Sequence, residues 1–123
     1  MSKDLGQFKD QQYISLETYR KNGQPVATPV WFVMDDNFID IVTRSKTGKV
    51  KRVRNNPHVR VVVSDFKGKP KGSWHEGTAQ FLSGDESALA VKKRDKKYGI
   101  KAKLASLFTS RNGKYVVIRV TLN

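Results

Sequence analysis

The chemistry in this chain is concentrated in residues 43–57, TRSKTGKVKRVRNNP. Arg44, Lys46, Lys49, Lys51, Arg52 and Arg54 all fall there, ahead of Pro57, with no acidic residue among them. An alternating apolar run (Phe38, Ile39, Ile41, Val42) precedes them. A strand that leads through Ser, Thr and Gly into a short basic helix has the parts of a phosphate pocket. Ser45 or Thr47 can cap that helix, whose free N–H groups and positive dipole end favour an anion. Gly48 lets the backbone approach closely, and Lys49 supplies a point charge. The segment does not read GxxxxGK[ST], so it is not a Walker-type loop. The competing reading is a solvated basic face.

The remaining inventory excludes more than it offers. Cysteine is absent, which excludes disulfides, Cys-ligated zinc and a thiol nucleophile. With only His58 and His75, a histidine-rich metal site is excluded, and no Ser-His-Asp order supports acid–base catalysis. No catalytic residue and no metal ligand is therefore nominated. Asp35 and Asp36 read as a turn, not a carboxylate pair. The net charge of +13 favours anionic partners, whether nucleic acid, acidic lipid or a phosphorylated cofactor. The run KKRDKK at 92–97 reads as a solvated helix face. The first ten residues lack the apolar segment of a secretory signal, and no run approaches the ~18 apolar residues of a membrane span. The expectation is a soluble, cytoplasmic protein.

The elements that must position these residues can be read along the chain. Strands are predicted at 12–19, 25–34, 38–43, 59–66, 73–82 and 115–122 from their β-branched, aromatic and alternating composition. Asn22-Gly23 predicts a type I′ hairpin turn between the first two. Pro29 lacks an N–H, so its part of the second strand must be an edge, a bulge or a place where pairing stops. Gly77 marks a bulge or a close approach in the fifth strand. Helices are predicted at 48–54 and 86–98, the second capped by Ser83 or Asp85 with Glu86 as a capping-box acid. Ile100, Leu104, Leu107 and Phe108 then lie on one apolar face of a further helix. Hairpins rather than helices connect most strands, which predicts an antiparallel barrel with helical decoration, a mainly β (α+β) fold. The length of 123 residues fits one domain spanning 1–123.

The order YISLETYRKNGQPVATPVWF, then IVTRSKTGKVKRVRNNPHVRVVVSDFKGKPKGSWHEGTA, resembles the flavin- and deazaflavin-dependent split-barrel proteins related to pyridoxamine 5′-phosphate oxidase. The branch it resembles most is the one that uses the deazaflavin coenzyme F420. The likeness covers about residues 12–82 closely and the rest in outline. It implies a six-stranded antiparallel split β-barrel of the FMN-binding type, forming a homodimer with the cofactor in a cleft at the interface. Lys49 matches the family lysine that meets the cofactor phosphate, with Gly48 beside it and Lys51 or Arg52 as a second cation. Thr28, Pro29, Val30 and Trp31 match the strand along the isoalloxazine ring. Thr43, Arg44 and Ser45 match residues near the ribityl chain and ring. Trp74 matches an aromatic position near the ring, often in the partner subunit. Trp31 and Trp74 also have plain readings, as packing and turn aromatics.

The activity implied is an F420-dependent oxidoreductase that passes hydride to a conjugated or quinone-like small molecule. Such chemistry belongs to the cofactor, which accounts for the missing acid–base constellation. Residues 92–97 would then meet the cofactor's acidic tail. The alternative enzyme keeps the fold and uses FMN, since both cofactors share the ring-ribityl-phosphate skeleton. A nucleic-acid-binding barrel is the reading from another class, prompted by the pI near 10.2. It is disfavoured because the cations gather at one strand-helix corner.

Overall fold

Residues 5–123 are described by a computed structural model, in which the strand pattern read above becomes a single antiparallel sheet. Its strands are β1 (Ile14–Tyr19), β2 (Pro25–Val30), β3 (Val33–Met34), β4 (Ile39–Arg44), β5 (His58–Val63), β6 (His75–Phe81) and β7 (Tyr115–Leu122). They run in the order β2-β1-β5-β6-β7-β4-β3. The strand expected over 25–34 is thus two strands, broken at Trp31 and Phe32, and the sheet has seven rather than six. Its first half pairs with β1 and its second half with β4. The two ends of the strand order are therefore consecutive pieces of one bent segment, and that segment curls the sheet back on itself.

The break has a cause outside the strand. The Tyr98 hydroxyl accepts the Phe32 N–H at 3.0 Å and donates to the Gln12 carbonyl at 2.7 Å. The Lys97 ammonium donates to the Phe32 carbonyl at 2.9 Å. Side chains thus stand in for the ladder partners that Phe32 gives up. Pro29 lies in β2, an edge strand, opposite Ser15, so its missing N–H removes no inter-strand bond. At the first hairpin only Gly23 takes a positive φ, +89°. The turn is not type I′, because the Asn22 side chain accepts the Gln24 N–H instead.

Ile14, Leu16, Ile39, Ile41, Val61 and Ile118 form the interior, joined by Phe8 and by Phe32. Helix α1 (Gly48–Asn55) adds Val50 and Val53 to it. Gly77 is a close approach rather than a bulge: a Cβ there would lie 2.8 Å from the Thr121 carbonyl oxygen. On the other face of the sheet, α2 (Gly84–Tyr98) packs on β4 and β7, and α3 (Ile100–Thr109) packs on α2. The expected capping box at α2 is not formed. Ser83 holds the N-cap position without a side-chain cap, and Glu86 turns away to Arg119 at 2.8 Å. The buried Asp40 gives Arg119 the stronger, two-pronged pairing at 2.9 and 3.0 Å. The apolar face predicted on α3 exists but is bare. Ile100, Leu107 and Phe108 are each more than 70% exposed, and Ala102 is the buried residue of that helix.

Candidate functional site

On one side of the bend at Trp31 and Phe32 β2 pairs with β1, whereas β3 pairs with β4 only at Ile39 and Asp40, so past Asp40 β4 is paired on its β7 side alone and its other edge parts from β2. Between them lies a cleft of about 280 Å³. Val30 and Trp31 line it from one side, Val42 and Thr43 from the other, and Thr47 and Lys49 from the start of α1. Trp31 is held by stacking on Tyr98, with ring centroids 4.4 Å apart. The alternation along β4 sends Thr43 to the face of Ile39 and Ile41, and Arg44 to the opposite face.

The basic end of the cleft carries charge without compensation. The Lys49 ammonium donates to Thr43 Oγ1 at 3.3 Å, and Arg52 Nε donates to Thr18 Oγ1 at 2.6 Å. Among the described residues no carboxylate pairs with Lys49, Arg52 or Arg20. Desolvation, and then the charge of Arg52, holds the Lys49 pKa below its ordinary value. Desolvation and the charge of Arg20 do the same to Arg52. A Cβ at Gly48 would sit 2.7 Å from an Arg52 guanidinium nitrogen, so a side chain there would displace that head group. Neither Ser45 nor Thr47 caps α1. The Thr47 hydroxyl turns back to the Arg44 carbonyl at 2.9 Å, and no side chain takes the first N–H groups. Clustered cations beside open helix amides are costly alone and are relieved by an anion.

Strand β2, which sends Val30 into the cleft, carries a second deficit. Thr28 sits in β2 opposite Leu16, and its Oγ1 is buried with no hydrogen-bond partner among the described residues. A buried hydroxyl in that state costs about 1–3 kcal/mol. The residues present therefore fit a group that brings both an anion and a polar edge.

The other nominated residues divide. Pro29 faces out and packs against Gly68. Arg44 lines the cleft, but its guanidinium is engaged by Thr109, Ser106 and the Gly113 carbonyl, and lies 3.7 Å from the Tyr115 ring centroid. Ser45 bonds the Lys114 backbone in both directions, tying β4 to the start of β7. Lys51 is exposed and outside the cleft. Trp74 stands under the Arg60 guanidinium, which in turn grips the buried Glu17, so within one chain it is not brought to the cleft. His58 stacks on Tyr19 and bonds Glu76, while His75 meets Gln7 and the edge of Phe8. Among the described residues no acidic or histidine cluster could hold a metal ion, and no helix is long and apolar enough to cross a membrane.

The sequence profile described as Pyridoxamine 5′-phosphate oxidase matches residues 2–123. The chain belongs to that family. Solved structures agree on the pyridoxamine 5′-phosphate oxidase fold. HutZ, described as a heme storage protein from Vibrio cholerae, superposes with a TM-score of 0.72 at 12% identity, covering 98% of this chain and 88% of that one. The conserved hypothetical protein Rv2991 from Mycobacterium tuberculosis gives 0.68 at 22% identity, covering 93% and 74%. A protein described as an F420 reductase gives 0.64 at 18% identity, covering 100% and 96%. No curated protein matches the chain.

Among the residues of this pyridoxamine 5′-phosphate oxidase-family cleft that escaped the sequence reading, two are ionisable. Arg94 and Tyr115 line its inner wall. Arg94 lies inside the KKRDKK run, yet it is buried with Ala90 and Tyr98. The spacing 90, 94, 98 repeats every four residues and marks one helix face, the signal that the charge run concealed.

Proposed function

We propose that this chain is an F420-dependent oxidoreductase that transfers hydride to a small molecule. The observation that supports it most is uncompensated Lys49 at the cleft beside open α1 amides, with Arg52 behind it and the orphaned Thr28 hydroxyl two residues before Val30 in the same strand. Lys49, Arg52 and the α1 amides would hold the cofactor phosphate. Thr28, Val30 and Trp31 would lie along the ring, and Thr43 beside its ribityl chain. When bound, the deazaflavin supplies the hydride. The chain's own part is to fix the ring, keep the cleft dry and set positive charge near the acceptor.

A homodimer belongs to this reading. The aromatic strand does not supply its interface, because Phe32 is buried within its own chain and Trp31 is stacked on Tyr98. The exposed Leu104 and Phe108 of α3 are apolar surface that a second copy would cover. Light scattering should give twice the 14.0 kDa chain mass at all working concentrations.

Side-by-side fluorescence titration with FMN and F420 tests the cofactor. Tighter F420 binding supports the proposal, whereas tighter FMN binding under all conditions replaces it with a flavin enzyme of the same fold. In the basic run Lys97 holds the Phe32 carbonyl and Lys93 faces Asp35 at 3.7 Å, which leaves Lys92 and Lys96 for the acidic tail. Lys92→Gln with Lys96→Gln should flatten the salt dependence of F420 binding and leave that of FMN unchanged.

A further inference from the structure

A second, larger cavity of about 620 Å³ lies between α2 and α3, within the usual size range of small-molecule sites. Val91, Ile100, Ala102 and Leu107 give it an apolar part, with Ile100 and Leu107 at the exposed rim, and Asp95, Lys103 and Ser106 complete the lining. At its base are Arg94 and Tyr115, the same two residues that close the inner wall of the cofactor cleft. The two spaces therefore meet at one guanidinium and one phenol.

Arg94 differs from the other buried charges. Glu17 is gripped by two nitrogens of Arg60, and Asp40 by two nitrogens of Arg119. Arg94 is 7% exposed, and its ion pair is a single bond from Nε to Asp95 at 2.9 Å. The Asp95 side chain is itself 56% exposed, so its charge is largely spent on water. Among the described residues no other carboxylate pairs with Arg94. Lys103 at the rim adds a further positive charge. Tyr115 registers the same field. Burial pushes its phenol up, but hydrogen bonds with Ser106 and Arg94 and the charges of Arg94 and Arg44 outweigh that and bring it below its ordinary value. A planar guanidinium with spare donors, at the foot of a partly apolar slot, has the geometry for a carboxylate.

We propose that the cavity between α2 and α3 binds an apolar monocarboxylate, with its carboxylate on Arg94 and its hydrocarbon body between Val91, Ile100 and Leu107. As the acceptor site of the reaction this rests on the hydride-transfer reading. As a carboxylate site it stands without it.

The test uses the full chain with no cofactor, in about 0.15 M salt, where exposed lysines act over roughly 8 Å only. Binding of 2-naphthoate is compared with that of 2-naphthamide, which has nearly the same shape and no charge. The expected result is one saturable site at which naphthoate binds at least about tenfold more tightly, with amide NMR shifts at Val91, Ala102, Leu107 and Tyr115. Arg94→Gln should remove the preference. Because Arg94 is buried and that variant can fail to fold, Lys103→Glu, an exposed change at the rim, should reduce the preference severalfold without altering the circular dichroism. Equal affinity for the two probes overturns the proposal, as do shifts confined to other surfaces or a preference that neither variant lowers. Titration of the same samples with F420 and FMN separates the two readings. A chain that binds naphthoate at Arg94 and neither cofactor refutes the hydride-transfer reading alone, and one that binds a cofactor but shows no preference refutes this inference alone.

Discussion

Thr28→Val is the substitution that most sharply separates a cofactor cleft from an accidental groove. Valine keeps the shape and β-branching of threonine in β2 and removes the one hydroxyl left without a partner. In the ligand-free chain the native hydroxyl costs about 1–3 kcal/mol, so the variant should be more stable by about 1 kcal/mol or more. For a domain of this size each kcal/mol moves the melting temperature by roughly 3–6 °C. In the cofactor-bound chain the same hydroxyl gains its partner. A neutral hydrogen bond contributes about 0.5–1.5 kcal/mol, so the variant should bind about two- to twelvefold more weakly. Thermal unfolding by circular dichroism and fluorescence titration therefore move in opposite directions for one methyl-for-hydroxyl exchange. A variant that melts lower than the native chain and binds the cofactor equally well would refute the assignment of Thr28.

Three further outcomes are expected. Lys49→Ala should weaken binding of the phosphate-bearing cofactor by about 1.5–3 kcal/mol in low salt while leaving the melting temperature nearly unchanged, and an unaltered dissociation constant would take Lys49 out of that role. Arg119→Leu leaves Asp40 buried and unpaired and should cost about 3–5 kcal/mol by urea unfolding, with Asp40→Asn in the same chain recovering part of it. Desolvation holds the Lys97 pKa at about 8, below its ordinary 10.5, although Asp10 pulls the other way. The unfolded chain then binds more protons between about pH 8 and 10.5, so stability should rise with pH across that window and stay level just below it. Lys97→Met should reduce the rise, leaving the smaller part that Lys49 and Tyr115 contribute, both held below their ordinary values.

Much of the sheet was legible because β pairing here follows local pattern. The valines of β5 and the alternation along β4 and β7 announce themselves, and the basic helix expected at 48–54 is α1. What was not legible depends on partners far along the chain. Residues 25–34 read as one strand, and the break at Phe32 comes from Lys97 and Tyr98, more than sixty residues away. The capping motifs at Thr47 and Ser83 were correct as patterns and were overridden. One hydroxyl finds the Arg44 carbonyl, and Glu86 finds an arginine delivered by β7. Charge misled at Arg94, because a run of cations reads as solvated until the four-residue spacing with Ala90 and Tyr98 is considered. The vacancy at Thr28 Oγ1 had no local signature.

The position of β7 also carries a consequence for how the molecule comes into being. It pairs with β4 on one side and β6 on the other, so Ile39 meets Val120 and Gly77 meets Leu122. Everything before it belongs to one of two separate ladders, β2-β1-β5-β6 and β3-β4, with no pairing between them except the bent backbone they share. Neither ladder can close on the other before residues 115–122 are available to pair with both. Such long-range closure is slow and leaves strand edges open to wrong partners. The cleft that divides β2 from β4 therefore takes its shape from β7, which holds β4 in place and supplies Tyr115 to the lining, so a change in that strand should disturb the cleft without touching Val30, Trp31 or Thr43.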